Sequence, residues 1–340
     1  MISRYTALRT LAFVVAVAGV GIVVEFSLRL AQPELDPTRH LRFEKTGEDG
    51  PTLGPKNAIQ RQIKNTGDFD VTVRFNKYGL RDTKDLARSN SEDYFLVGDS
   101  FTFGWGVEEE ERLSERLESL IGRRVFNLSA PADLRGYEQM IAYAVRNGAS
   151  ASNVIIAVNM ATDIIRYDRQ PVDDPPAAGI GVRNPVLLAR VKTFLTSNSA
   201  LYLLITTLVH RSPRLRDLAA KAGLLVPNLE GIHRHGFSED AIASTAGVLA
   251  EFARRYEAIV VIIPSRALWY GNNREVEDRR HRVFVERVVG LGLDVVDLRP
   301  EFEAGGAPLA YHFRNDGHWN RSGHAKVARV VAAHIAETAK

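Results

Sequence analysis

The chain has 340 residues, 45% of them hydrophobic, enough to bury one large α/β core with additions or two ordinary domains. Its 44 basic and 41 acidic residues leave a net charge of +3 with no long basic run, which argues against a nucleic-acid binder. Cysteine is absent, so disulfides, Cys-ligated zinc and a cysteine nucleophile are excluded.

Arg4 and Arg9 precede an apolar run from Leu11 to Val24, followed by Glu25 and Arg29. A basic flank before an apolar stretch is the pattern of a signal peptide or signal anchor. The uninterrupted run is short for a membrane span of about 20 residues. Extension to Leu30 carries Glu25 and Arg29 near the interface, where long side chains snorkel. No convincing small-x-small cleavage site follows, so residues 1–30 are expected to be an uncleaved anchor. The leading arginines place the body outside the cytoplasm, in the periplasm if the source is Gram-negative.

Residues 31–90 read as a polar lead-in, punctuated by Gly50-Pro51 and Gly54-Pro55. Alternation from Phe69 to Phe75 predicts a half-buried strand, and Asn76-Lys77-Tyr78-Gly79 a turn. Strands are then predicted at 94–97, 125–128, 153–158, 258–263 and 293–298. Helices are predicted at 108–121, 137–147 and about 323–338. Continuously apolar strands separated by helices imply a parallel sheet covered on both faces. An insertion at about 167–240 holds an apolar helical segment, Ala200 to Val209, too short to span a membrane. Either a cap over a site or packing against the main sheet suits it.

Two constellations carry chemistry. Gly98-Asp99-Ser100 follows the first sheet strand directly, so Ser100 lies at the sheet's carboxyl edge near a helix N-terminus, where free N–H groups can hold an oxyanion. A serine needs a base to become a nucleophile. Asn315-Asp316-Gly317-His318-Trp319-Asn320 precedes the closing helix, and a loop there can bring His318 to Ser100 with Asp316 orienting the imidazole. Other candidates rank lower. His233 and His235 are two apart with no further ligands to place, and Asp168, Asp173 and Asp174 read as a solvated loop. Trp105, Trp269, Tyr270 and Trp319 read as buried aromatics, with Trp319 beside His318 the one to test against a sugar ring. Glu108 to Glu111 suit a helix dipole. No Gly-rich phosphate loop is present, and neither metal nor cofactor is expected.

The run GDSFTFGWG and the later DGHWN resemble the first and last blocks of the SGNH/GDSL hydrolase superfamily. The stretch Asn76 to Asp82 is similar to what precedes the serine block in membrane-anchored bacterial members linked to surface polysaccharide O-acylation. The resemblance covers about residues 70–340. It implies an α/β fold, a flavodoxin-like three-layer α/β/α sandwich with a parallel sheet, here preceded by an N-terminal membrane helix and a small β-containing lead-in. The domains would be 1–30, 31–90 and 91–340. It implies Ser100 as nucleophile, His318 as base and Asp316 as its partner, although the family's acid often lies three before the histidine, where Asn315 stands. The oxyanion hole would take the Ser100 N–H and a second-block backbone N–H, which falls on Ala132 by spacing or on Gly136 by residue type. The third block departs from the family pattern: Thr162 occupies the usual Asn position, leaving the role to Thr162 or to upstream Asn159. The implied activity is a serine esterase or O-acyltransferase acting on acyl, in particular acetyl, esters of a carbohydrate. The altered third block also fits a weakly active polysaccharide-binding component of a membrane assembly.

Overall fold

The computed structural model describes residues 4–47, 50–168, 185–221 and 237–338. His233, His235, Asp173 and Asp174 lie outside them. In chain order the elements are α1 (Arg4–Ala31), β1 (Glu44–Lys45), β2 (Thr52–Leu53), β3 (Ile59–Ile63), β4 (Asp70–Arg74), β5 (Tyr94–Val97), α2 (Ser100–Phe103), α3 (Leu113–Ile121), β6 (Val125–Asn127) and α4 (Leu134–Arg146). They continue with β7 (Asn153–Asn159), α5 (Pro185–Asn198), α6 (Ala200–Arg211), α7 (Pro213–Lys221), α8 (Glu239–Arg255), β8 (Ile259–Ile263), α9 (Arg274–Gly290), β9 (Asp294–Asp297), α10 (Arg299–Glu303) and α11 (Arg321–Thr338). The chain divides into two compact units: residues 4–40, 65–67 and 185–221 in one, and the remaining described residues in the other.

The larger unit is built on a parallel sheet of order β6-β5-β7-β8-β9. Numbered within the sheet this is 2-1-3-4-5, the flavodoxin-like order, whose switch point lies between β5 and β7. Alternate residues feed opposite faces, as a strand period of two requires. Phe95, Val97, Val154, Ile156, Val158, Val260 and Ile262 join the core under α4, α8 and α9. Leu96, Ile155, Ala157, Val261 and Ile263 join the core under α3 and α11. The result is the three-layer α/β/α sandwich. Gly98 permits the close approach of β5 to β7, since a Cβ there would lie 3.0 Å from Ala157 Cβ and 2.5 Å from Thr102 Oγ1.

The lead-in adds two antiparallel pairs, β1 with β2 and β3 with β4. In β4 the expected alternation holds, with Val71 and Val73 buried. Two helix boundaries differ from expectation. The helix expected from 108 begins at Leu113, because Arg112 is extended and fully buried, its guanidinium donating to the Arg81 carbonyl and to Glu115. The helix expected from 137 begins at Leu134, because Asp133 caps it by accepting from the N–H groups of Arg135 and Gly136, each at 3.1 Å.

The Asn76–Asp82 stretch braces the loop that follows Ser100. Gly79 takes φ +79°, and a Cβ there would strike the Gly54 carbonyl at 2.4 Å. The turn delivers Arg81 into the interior, where its guanidinium donates to the carbonyls of Phe103, Gly104 and Val107. Burial, then neighbouring Arg112, pulls Arg81 down to about 9, still protonated at neutral pH. Asp82 accepts the Asn127 N–H at 2.7 Å, tying the same stretch to β6.

Two buried histidines contribute to the acid sensitivity of this unit. Burial above all holds His324 down at about 3, aided by the Arg81 and Arg116 charges. Burial and then Arg266 hold His312 down at about 3 as well. The unfolded imidazole titrates near about 6.5. Below that pH the unfolded chain takes up protons that the folded chain refuses. This stability is therefore complete above about pH 6.5 and is lost as pH falls toward 3, by up to about 1.4 kcal/mol per pH unit for each histidine. Urea midpoints measured from pH 7 to 4 should fall accordingly. His324→Gln keeps an acceptor for the Leu113 N–H, which His324 Nδ1 accepts at 3.2 Å. The variant should flatten the slope by about 1.4 kcal/mol per pH unit, whereas an unchanged slope would mean that His324 is protonated in the fold.

In the smaller unit α1 presents Leu8–Ala31, 24 residues that include an 18-residue window of mean hydropathy 2.4 with none of that window buried, long and apolar enough to cross a membrane. Helix α6 packs against it. The Glu25 carboxylate accepts from Ser199 Oγ at 2.9 Å and from the N–H groups of Ala200 and Leu201 at 2.8 and 3.0 Å. The apolar part of the insertion is thus held by α1. The physical reason is that the first N–H groups of α6 need an acceptor, and Glu25 supplies a charged one.

Candidate active site

Ser100 is the first residue of α2, directly beyond β5 at the sheet's switch point. Asp99 caps the helix, its Oδ1 accepting the Phe101 N–H at 2.9 Å. The Ser100 N–H has no hydrogen-bond partner among the described residues.

The loop before α11 brings His318 to the serine from 218 residues away, with Nε2 2.7 Å from Ser100 Oγ. Nδ1 contacts Asp316 Oδ1, and this carboxylate is 6% exposed. A carboxylate only accepts, so Nδ1 carries the proton, Nε2 is the acceptor, and the Ser100 hydroxyl donates to it. Three further contacts hold Asp316. Its Oδ1 accepts the His318 N–H at 3.1 Å, its Oδ2 accepts Lys64 Nζ at 2.7 Å, and its carbonyl accepts the Arg266 guanidinium. Burial works to raise its pKa, but the hydrogen bond and charge of His318, with Lys64, outweigh it and hold Asp316 well below the usual carboxylate range. Asn315, one residue earlier, instead donates its N–H to Asp68 at 3.1 Å.

Aromatic rings flank the imidazole. Trp105 stacks on His318 with centroids 5.3 Å apart and planes at 22°, and Phe101 approaches at 5.0 Å. Trp105 is half-buried, so one side of the site is an aromatic wall. Trp319 is fully buried against Phe101 and Phe302, which removes it from contact with any substrate. Trp269 stacks on Phe302 and donates from Nε1 to Glu303 at 2.9 Å.

The oxyanion candidates separate. The Gly136 N–H is taken by the Asp133 cap inside α4, so Gly136 is not a free donor and that assignment is corrected. The Ala132 N–H, at the loop before α4, has no partner among the described residues. Thr162 is exposed and its hydroxyl donates to Asp163 Oδ1 at 3.3 Å. Asn159 closes β7, is 3% exposed, and donates from Nδ2 to Asp99 Oδ2 at 2.7 Å, one residue from Ser100. An amide nitrogen carries two N–H bonds, which leaves Asn159 a second donor. Its carbonyl oxygen accepts the Ala161 N–H at 2.9 Å.

Beneath this shell lies a polar network with no obvious signal in the sequence. Asp163 accepts the Asn159 N–H at 2.8 Å and the Tyr137 hydroxyl at 2.9 Å. Burial, then the charge of Asp99, pushes Asp163 well above the usual carboxylate range. Burial also raises Asp99, with the Asn159 bond opposing. No group of three or more potential metal ligands occurs among the described residues.

Residues 233–340 match the family model described as "SGNH hydrolase-like domain, acetyltransferase AlgX". No curated protein matches the chain. Among solved structures, a lipase/acylhydrolase from Enterococcus faecalis aligns at 11% identity over 72% of this chain and 95% of its own, with a TM-score of 0.41. A catalytic mutant of an acetylxylan esterase from Geobacillus stearothermophilus aligns at 14% identity over 73% and 96%, with a TM-score of 0.40. The family match and the two sequence blocks agree: the chain resembles the SGNH hydrolases, with Asp316 and His318 inside the matched segment and Ser100 ahead of it.

Proposed function

We propose that the chain is a serine esterase or O-acyltransferase acting on acyl esters, with acetyl as the acyl group and a carbohydrate as its carrier. The observation that carries this reading is the relay Ser100 Oγ–His318 Nε2 at 2.7 Å with His318 Nδ1 on Asp316. His318 takes the Ser100 proton as Oγ attacks the ester carbonyl, and the resulting imidazolium is stabilised by Asp316. The tetrahedral oxyanion meets the N–H groups of Ser100 and Ala132 and the spare amide N–H of Asn159. Collapse breaks the bond to the leaving alkoxide, which takes the proton from His318, and leaves an acyl-serine. Water then gives the free acid, whereas a sugar hydroxyl gives a new ester. Both outcomes regenerate Ser100.

The family match supports acetyl, since the matched model is that of an acetyltransferase. The resemblance of the Asn76–Asp82 stretch supports a carbohydrate carrier, and the reading of α1 as an anchor supports an extracytoplasmic location. The proposed domains are the anchor at 1–30, the lead-in at 31–90 and the hydrolase-like domain at 91–340 with its insertion at about 167–240.

A fluorophosphonate probe tests the reading directly. The folded protein should be labelled on the peptide that contains Ser100 and should release acetate from p-nitrophenyl acetate. Acetate released without an acceptor marks hydrolysis, and acetylated oligosaccharide marks transfer. A folded protein that takes up no probe would turn the assignment to a polysaccharide-binding component of a membrane assembly.

A further inference from the structure

We propose that α5, α6 and α7 lie in the lipid–water interface beside α1, with an apolar stripe against acyl chains and a basic edge against anionic headgroups. The proposal rests on the reading of α1 as a membrane span. Glu25 stands six residues before the last residue of α1, about 9 Å along the axis at 1.5 Å per residue. Interfacial helices bury their apolar face about 5–10 Å into the boundary. At that level Glu25 closes the N-terminus of α6 through Ser199, Ala200 and Leu201. Arg29 adds a second tie, donating to Glu25 at 2.8 Å and to the Asn198 carbonyl at the end of α5. The two ties fix where α5 ends and α6 begins relative to the end of the apolar helix.

The outward faces of these helices suit that position. Ile205 and Leu208 of α6 are 51% and 55% exposed, and Leu215 and Leu218 of α7 are 44% and 65% exposed. Each pair is spaced i, i+3 and shares a helix face. Phe194 of α5 is 65% exposed. None of the described residues covers them. Arg214, Arg216 and Lys221 lie exposed on α7 beside its leucines. Apolar residues flanked by arginine and lysine are the composition of a helix lying on an anionic bilayer.

The absence of cysteine makes the test clean. Single variants Val17→Cys, Phe194→Cys, Leu208→Cys, Leu218→Cys and Glu92→Cys of the full chain would each carry an environment-sensitive fluorophore. They would be reconstituted in phosphatidylcholine vesicles doped with phosphatidylglycerol. Labels at 194, 208 and 218 should show blue-shifted emission, quenching by brominated lipid and loss of iodide quenching, in the direction of the Val17 label though to a smaller extent. The Glu92 label should show the reverse. Labels at 208 and 218 that behave like Glu92, while Val17 is lipid-quenched, would overturn the proposal and leave the span intact. A Val17 label exposed to iodide would instead overturn the span, and the proposal with it.

Discussion

Ser100→Ala and His318→Ala should each lower kcat for p-nitrophenyl acetate by about 10⁶, and the double variant should be no worse than either. The expectation follows from the geometry of the pair. The hydroxyl donates to Nε2 at 2.7 Å, so in the proposed mechanism nucleophile and base act as one unit and removal of either empties the same step. Asp316→Asn should cost less, about 10³–10⁴, because the amide stays in place but favours the wrong imidazole tautomer and supplies no charge. Lys64 sharpens this case. With Asp316 neutralised, its ammonium at 2.7 Å loses its partner and adds positive charge near the imidazolium that must form. Thermal melts of each variant would separate lost chemistry from lost fold. Costs that add in the double variant would show that Ser100 and His318 act independently, and the relay would be withdrawn.

The sequence carried the two ends of the site because each end is local. Gly98-Asp99-Ser100 follows an apolar strand, and Asp316 and His318 share one turn, so their chemistry is visible within a few residues. Lys64 was illegible for the opposite reason: it meets Asp316 across 252 residues, and nothing around it marks it as different from other surface lysines. Arg81 stood inside a recognised stretch, but its work on the Phe103–Val107 carbonyls depends on burial that periodicity does not register. The choice between Ala132 and Gly136 turned on where α4 starts. Asp133 is an N-cap residue type, and a start at Leu134 makes Gly136 part of the first turn, with its N–H already claimed. Glu25 reads in the sequence only as a flank of an apolar run, whereas its carboxylate also caps α6. The inward face of α9 is masked in the sequence. In α9 buried Glu277, Arg280 and His281 alternate with exposed charges, which hides its inward face from a count of apolar residues.

Asn159→Ala should lower kcat by about 10²–10³, the cost of one lost oxyanion donor, while Thr162→Ala should change it by no more than about threefold. Two facts set the difference. Asn159 holds Asp99 Oδ2 at 2.7 Å, which places its amide next to the residue that precedes the nucleophile, and one of its two N–H bonds is unassigned. Thr162 is exposed and engaged with Asp163. Asn159 also has structural duties, since its side chain satisfies Asp99 and the Ala161 N–H. Losing these bonds would cost stability of about 1–3 kcal/mol each. The two roles are separable by measuring kcat against acyl-enzyme formation below the unfolding transition. A purely structural role lowers the melting temperature and leaves kcat of the remaining folded protein unchanged, whereas a donor role lowers kcat at full occupancy of the fold. Should Thr162→Ala prove the damaging change and Asn159→Ala the mild one, the third-block donor would be the threonine hydroxyl. Its bond to Asp163 would then have to break as substrate enters.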